Sequence, residues 1–207
     1  CLPPERQERY QPERYINFYQ FRRRYPHLRD DVELAWHTIR TLIKGYDVSG
    51  YLDSEGYREL PQADRSVEDE EFDRIYKKIW PGYQDLTTPG HGDHWDDQDL
   101  VRDVLENGTL QPIHPVIFCD EIQDFTQVEL SVILCLSPWG KFKLDRHIQH
   151  LPYAFAGDPL QTINPTGFRW SVLKKYLYEQ IIVLKCRILN TYTITTAVLP
   201  VLPASVT

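Results

Sequence analysis

Residues 115–124 read Pro115-Val116-Ile117-Phe118-Cys119-Asp120-Glu121-Ile122-Gln123-Asp124. An apolar run this short suits a parallel strand buried on both faces better than a helix. It passes without a break into two adjacent carboxylates. Residues 152–164 have a related layout: Pro152-Tyr153-Ala154-Phe155-Ala156, then Gly157-Asp158-Pro159-Leu160-Gln161-Thr162-Ile163-Asn164. Between them, 126–136 reads as an amphipathic helix capped by Thr126, and 171–180 reads as a further helix. Strand–helix–strand–helix is the pattern of an α/β domain with parallel strands. Ligands of such open sheets sit at the carboxyl ends of the strands. Asp120, Glu121, Gln123, Asp124, Gly157, Asp158 and Gln161 are therefore the candidate site.

The residue types suggest a chemistry. Mg²⁺ prefers oxygen ligands and takes one or two carboxylates. Asp120 could hold such an ion, and Glu121 could orient or deprotonate an attacking water. An acidic turn after a buried strand is the plainer alternative. Gly157 permits a tight exit from the second strand. Gln161 has both a donor and an acceptor and could sense a terminal phosphate. Phe168-Arg169-Trp170 puts aromatics beside a cation, which suits stacking on unpaired bases; core packing with a surface arginine is the alternative.

Upstream the texture is helical. Residues 1–29 are Arg- and Tyr-rich, with a weakly patterned helix over 13–24. In 30–44, Val32, Ala35, Trp36, Ile39, Leu42 and Ile43 recur at helical spacing, with Asp30 or Asp31 as cap and Gly45 as stop. A short helix is expected over 54–60. A longer one is expected over 66–80, opened by a Ser66/Asp69 capping box and stopped by Pro81-Gly82. Residues 85–93 read as loop. The helix over 96–106 carries an apolar stripe of Leu100, Val101, Val104 and Leu105.

The 207 residues are 42% hydrophobic and 26% charged, the balance of a globular chain. No apolar run approaches the ~18 residues of a membrane span, and no secretory leader pattern is present. Cys1, Cys119, Cys135 and Cys186 lack metal or redox spacing, so the thiols read as reduced, inside a cell. The net charge of −7 is uneven. Residues 47–106 hold 17 acidic and 6 basic residues, read as solvated helix faces, whereas 1–29 hold 7 arginines against 3 glutamates. The run Arg22 to Arg24 reads first as a solvated helix end and second as a phosphate contact. His91, Asp93, His94, Asp96 and Asp97 lie close in sequence but not at a zinc spacing.

Two stretches together carry a resemblance. "VIFCDEIQDFTQVEL" resembles the second (Walker B) motif of superfamily 1 helicases of the UvrD/Rep type, Asp-Glu-x-Gln-Asp. "AGDPLQTINPTGFRW" resembles their third motif, Gly-Asp-x-x-Gln-[Ser/Thr]-Ile. "WDDQDLVRDVL", Trp95 to Leu105, is similar to the Asp-Phe-Asp-Asp-Leu-Leu element that precedes them. The "NPTGFRW" form resembles the subgroup found in large eukaryotic, often fungal, repeat-containing proteins.

The resemblance implies part of a RecA-like P-loop NTPase domain, with strands near 115–119 and 152–156, preceded by a helical insertion-type segment. The implied units are an N-terminal segment 1–29, an insertion remnant 30–94, the C-terminal half of the first motor domain 95–180 and an atypical tail 181–207. It implies Mg²⁺ with ATP as cofactor, Asp120 as metal ligand, Glu121 as catalytic base and Gln161 as γ-phosphate sensor. Gln123, Asp124, Gly157 and Asp158 would support the nucleotide site. Phe168, Arg169 and Trp170 would contact nucleic acid. The family's tract after Ile163 usually reads Tyr-x-Trp/Phe-Arg-Gly, so which aromatic stacks stays open.

The implied partners are ATP, single-stranded nucleic acid (DNA first) and the remaining motor domains of a parent chain, with no membrane. The sequence has no phosphate-binding Gly-x-x-x-x-Gly-Lys-[Ser/Thr] loop, contains no methionine and starts at Cys1. It therefore reads as a fragment, inactive alone, with the 152–156 strand left without its phosphate-loop neighbour. The competing reading is a non-catalytic interaction module or a pseudogene product derived from such a domain.

Overall fold

The computed structural model describes residues 2–137 and 153–158. Among the described residues helices dominate, and two parallel strands flank the last helix in the chain. α1 (Pro4–Gln7) is a single turn. The next helix does not begin at 13. Ile16 donates its N–H to the Trp95 carbonyl at 2.8 Å, and Trp95 donates to Arg14 at 3.1 Å, so the backbone there is spent on a crossing strand-like contact. Asn17 then opens α2 (Phe18–Arg24): its side chain accepts the Gln20 N–H, and the Gln20 side chain accepts the Asn17 N–H.

α3 (Val32–His37) runs into a wider π-helical stretch, Thr38–Ile43, closed by a bond from the Lys44 N–H to the Ile39 carbonyl at 2.9 Å. All six apolar residues expected to face inward here are buried. Asp31 does not cap the helix with its side chain; it pairs instead with Arg74 at 3.0 Å. α4 (Ser54–Glu59) is capped by Asp53 through the Gly56 N–H.

The expected 66–80 helix is two helices. α5 (Asp69–Lys78) starts after Glu68, without the Ser66 cap. α6 (Trp80–Thr87) follows at once, because Pro81 occupies its first turn, where a missing N–H costs no bond and the fixed φ suits the helix. Proline here starts a helix rather than stopping one. α7 (Asp97–Asn107) has the capping box Asp96/Asp99.

The helical core gathers Phe21, Trp36, Ile39, Tyr57, Phe72, Ile75 and Tyr83. Tyr57 stacks flat on Phe72 at 3.9 Å between centroids, and its hydroxyl donates to the Val67 carbonyl. Burying such rings is worth roughly 2–3 kcal/mol each before entropy is counted.

β1 (Ile117–Cys119) and β2 (Tyr153–Phe155) pair in parallel, with Ile117 opposite Tyr153 and Cys119 opposite Phe155. α8 (Gln127–Cys135) and the turn before it cover one face: Ile122 and Leu130 pack with Cys119, Phe125, Ile133 and Phe155. The other face is open among the described residues. Phe118 is 81% exposed there, which corrects the expectation of a strand buried on both sides. The mixed helical and parallel-strand architecture is compatible with an α/β class.

The helical part meets the start of α8, the helix that covers the sheet, at Gly45. A side chain at Gly45 would come within 2.8 Å of Thr126 Cβ, and Val128 donates to the Gly45 carbonyl at 3.1 Å. Around this contact, Arg40 donates to Asp97 and Glu129, while Gln98 bonds both Glu129 and the Thr126 hydroxyl. Among the described residues no helix is long and apolar enough to cross a membrane.

Candidate functional site

The two strand ends meet. The Ala156 N–H donates to the Cys119 carbonyl at 2.9 Å, and the Ile122 N–H donates to the Ala156 carbonyl at 3.0 Å. β1 therefore turns directly over the end of β2. Asp120 and Glu121 stand exposed at this corner, and Asp120 Oδ1 accepts the Glu121 N–H at 2.9 Å. Glu121 lies in the left-handed region, φ 51° and ψ 40°. Glycine or asparagine suits that conformation; a glutamate there costs on the order of 1 kcal/mol. Ile122–Asp124 forms one tight turn, after which Thr126 and Glu129 form the capping box of α8.

Gln123 links the two ends. It is 1% exposed, and its Nε2 donates to Glu121 Oε2. Gly157 lies against its other side: an added Cβ would stand 2.2 Å from Gln123 Oε1, 2.8 Å from Ile122 Cγ2 and 3.1 Å from the Ile122 amide nitrogen. Glycine is required here by close approach rather than by φ. The Cys119 thiol is pushed up by burial and by the Asp120 carboxylate, so it stays protonated at neutral pH and is no nucleophile.

The structure thus brings together Asp120, Glu121, Gln123 and Gly157; Asp124 closes the turn after Glu121, and Asp158 follows Gly157 in the chain. Gln161, Phe168, Arg169 and Trp170, the helix expected over 171–180 and the tail 181–207 lie outside the described residues. Two exposed carboxylates on one turn offer oxygen donors of the kind Mg²⁺ takes when phosphates and water complete its shell. Among the described residues no group of three or more acidic, His or Cys side chains is gathered to hold a metal by itself.

The His- and Asp-rich stretch 91–97 disperses: His91 faces Asp85, Asp97 faces Arg40, and Asp96 turns inward to Lys44. That inward turn belongs to a buried cluster which the sequence reading missed. Lys44 Nζ, fully buried, lies 2.7 Å from both Asp96 Oδ2 and Asp99 Oδ1, and the Tyr83 hydroxyl donates to Asp96 at 2.7 Å.

Burial opposes the charge on Asp96, but Lys44 and the Tyr83 hydrogen bond outweigh it and hold this carboxyl below its usual range. Burial and the adjacent Asp96 carboxylate push Asp99 the other way, up to about 6. Burial also opposes the Lys44 charge, yet the two carboxylates raise its pKa. Asp103 receives Arg6 and Tyr10, and Arg102 donates to the carbonyls of Lys44, Asp47 and Gly50. The polar face of α7 is therefore the buried one, while Leu100, Val101, Val104 and Leu105 are only half-buried.

The chain was compared with protein-family models, with curated proteins and with solved structures. None of the three comparisons found a match.

Proposed function

We propose that this chain supplies the hydrolytic half of a Mg²⁺–ATP site in a nucleic-acid motor of the UvrD/Rep-like superfamily 1 type, built on a RecA-like domain. In this reading Asp120 holds the metal, Glu121 is the base that activates water, and Gln161 senses the γ-phosphate. The metal would supply charge neutralisation on the phosphates. Phe168, Arg169 and Trp170 would meet single-stranded nucleic acid, and the other motor parts of a longer chain would complete the site.

One observation carries the reading. The parallel pair β1/β2 delivers both motif-bearing strand ends to one corner, where Gly157 seats Gln123 and Gln123 holds the Glu121 carboxylate. The strained backbone at Glu121 adds support, because local preference alone would favour another residue there.

The sequence has no phosphate-binding loop. This favours one alternative, a non-catalytic module that uses the same corner for interaction. Purified chain incubated with Mg²⁺ and ATP should release no phosphate above background. Turnover that Glu121→Gln removes would overturn the half-site reading and assign a whole site to these residues.

A further inference from the structure

Arginines elsewhere in the described residues have partners. Arg6, Arg14, Arg40, Arg58, Arg65 and Arg74 face carboxylates, and Arg9 and Arg102 donate to backbone carbonyls. Four do not: Arg22, Arg23, Arg24 and Arg29 have neither a carboxylate nor a carbonyl acceptor among the described residues. All four are exposed, and all four fall in one stretch, the end of α2 and the turn after it. Residues 14–29 contain no acidic side chain at all, within a chain of net charge −7.

The same surface holds an exposed aromatic. Tyr19 is 65% exposed, one helical turn before Arg22 and Arg23, and the Arg23 guanidinium lies over its ring at 5.8 Å from the centroid. Phe21 and Tyr25, by contrast, turn inward and pack on each other at 4.6 Å. On its other flank Arg24 lines an open hollow of about 500 Å³ with Gly82, Asp85, Leu86, His91 and Gly92. Within that hollow the Asp85 carboxylate is already taken by His91 Nδ1, at 2.6 Å.

We propose that this face of α2 is a binding surface for single-stranded nucleic acid, with Tyr19 as a stacking platform and Arg22 and Arg23, three and four residues on, each on a phosphate. Unpaired guanidinium groups supply the salt-sensitive contact to the backbone. A ring open on one face is the device that sequence-tolerant single-strand binders add to it. An acidic polypeptide would use the arginines but would gain little from the ring, which is why a nucleic acid is favoured. The surface does not depend on the nucleotide site.

The test is fluorescence anisotropy of a labelled oligothymidylate against the whole chain, without Mg²⁺ or ATP, at low and at moderate salt. Arg22→Glu with Arg23→Glu should weaken binding at least about tenfold and flatten the plot of log affinity against log salt by about 1.4, roughly 0.7 for each lost phosphate contact. Tyr19→Ala should weaken binding at least about fivefold and leave that slope unchanged. All three positions are exposed, and unchanged thermal melting of each variant verifies the fold. Unaltered affinity in the double-Glu variant would overturn the proposal. So would polyglutamate displacing the oligonucleotide as well as unlabelled oligothymidylate does while Tyr19→Ala has no effect, since that result assigns the surface to an acidic polypeptide.

Discussion

Lys44→Ala is expected to destabilise the protein by about 3–5 kcal/mol, the cost of leaving buried charge without its partner. The ammonium is fully buried between Asp96 and Asp99, and these two carboxylates also cap α7. Without it they must either ionise unpaired in a low-dielectric site or take up protons. The pH dependence carries the sign. Asp99 already has a raised pKa, about 6 in the folded chain, against about 3.9 unfolded. Its contribution to stability is full below the unfolded value and is lost as pH rises through about 6. Removing Lys44 takes away the charge that lowers both carboxyls, so Asp96 rises from below its usual range and Asp99 rises further, and the deficit of the variant should grow from pH 5 to pH 8. Urea denaturation at several pH values measures it. A variant within about 1 kcal/mol of wild type, or a deficit that shrinks with rising pH, would show that the cluster does not hold the helices together.

Gly157→Ala is expected to cost about 1–3 kcal/mol through overpacking, and the loss should be local to the strand ends. The added methyl would stand 2.2 Å from Gln123 Oε1 and 2.8 Å from Ile122 Cγ2. Something must move, and the nearest group is the side chain that holds Glu121. Hydrogen exchange should therefore accelerate at the Ile122 and Ala156 amides, which carry the bonds between the ends. Shortening the obstructing side chain should relieve the clash. The pair Gly157→Ala with Gln123→Ala should be less destabilised than the sum of the two single changes. Strict additivity would mean that the two residues are not in contact.

The helical elements were legible wherever apolar spacing decided them, as in 32–43, where every expected inward residue is buried. α7 was legible as a helix but not as a face. Its apolar stripe is half-buried, while Asp96, Gln98, Asp99, Arg102 and Asp103 are buried. A polar side chain can be buried when a partner satisfies it, and those partners come from 52 to 97 positions away in sequence, from Lys44, Arg6, Tyr10 and the 44–50 backbone. Periodicity carries no record of such pairings. Pro81 is ambiguous for a related reason: the ring that breaks a helix interior also suits the first turn of a new helix, which is where it sits.

At the strand ends, the order of residues suggested a shared corner, and the close approach of Gly157 to Gln123 gives that corner its geometry. The left-handed Glu121 could not be read from residue type, because glutamate is not a residue that signals positive φ. The unpaired arginines of α2 are a different case. Their charge was plain in the sequence, but their lack of acceptors among the described residues is a property of the fold.

The central claim is that Asp120 and Glu121, together with the end of β2, form part of a metal–nucleotide site. Paramagnetic broadening of backbone amide signals by Mn²⁺–ATP, with Mn²⁺ standing in for Mg²⁺, tests it most directly. The account predicts that the amides of residues 120–122 and 156–158 broaden together, and that Asp120→Asn removes the effect at both strand ends. Broadening that is absent from these residues, or that survives Asp120→Asn, would contradict it.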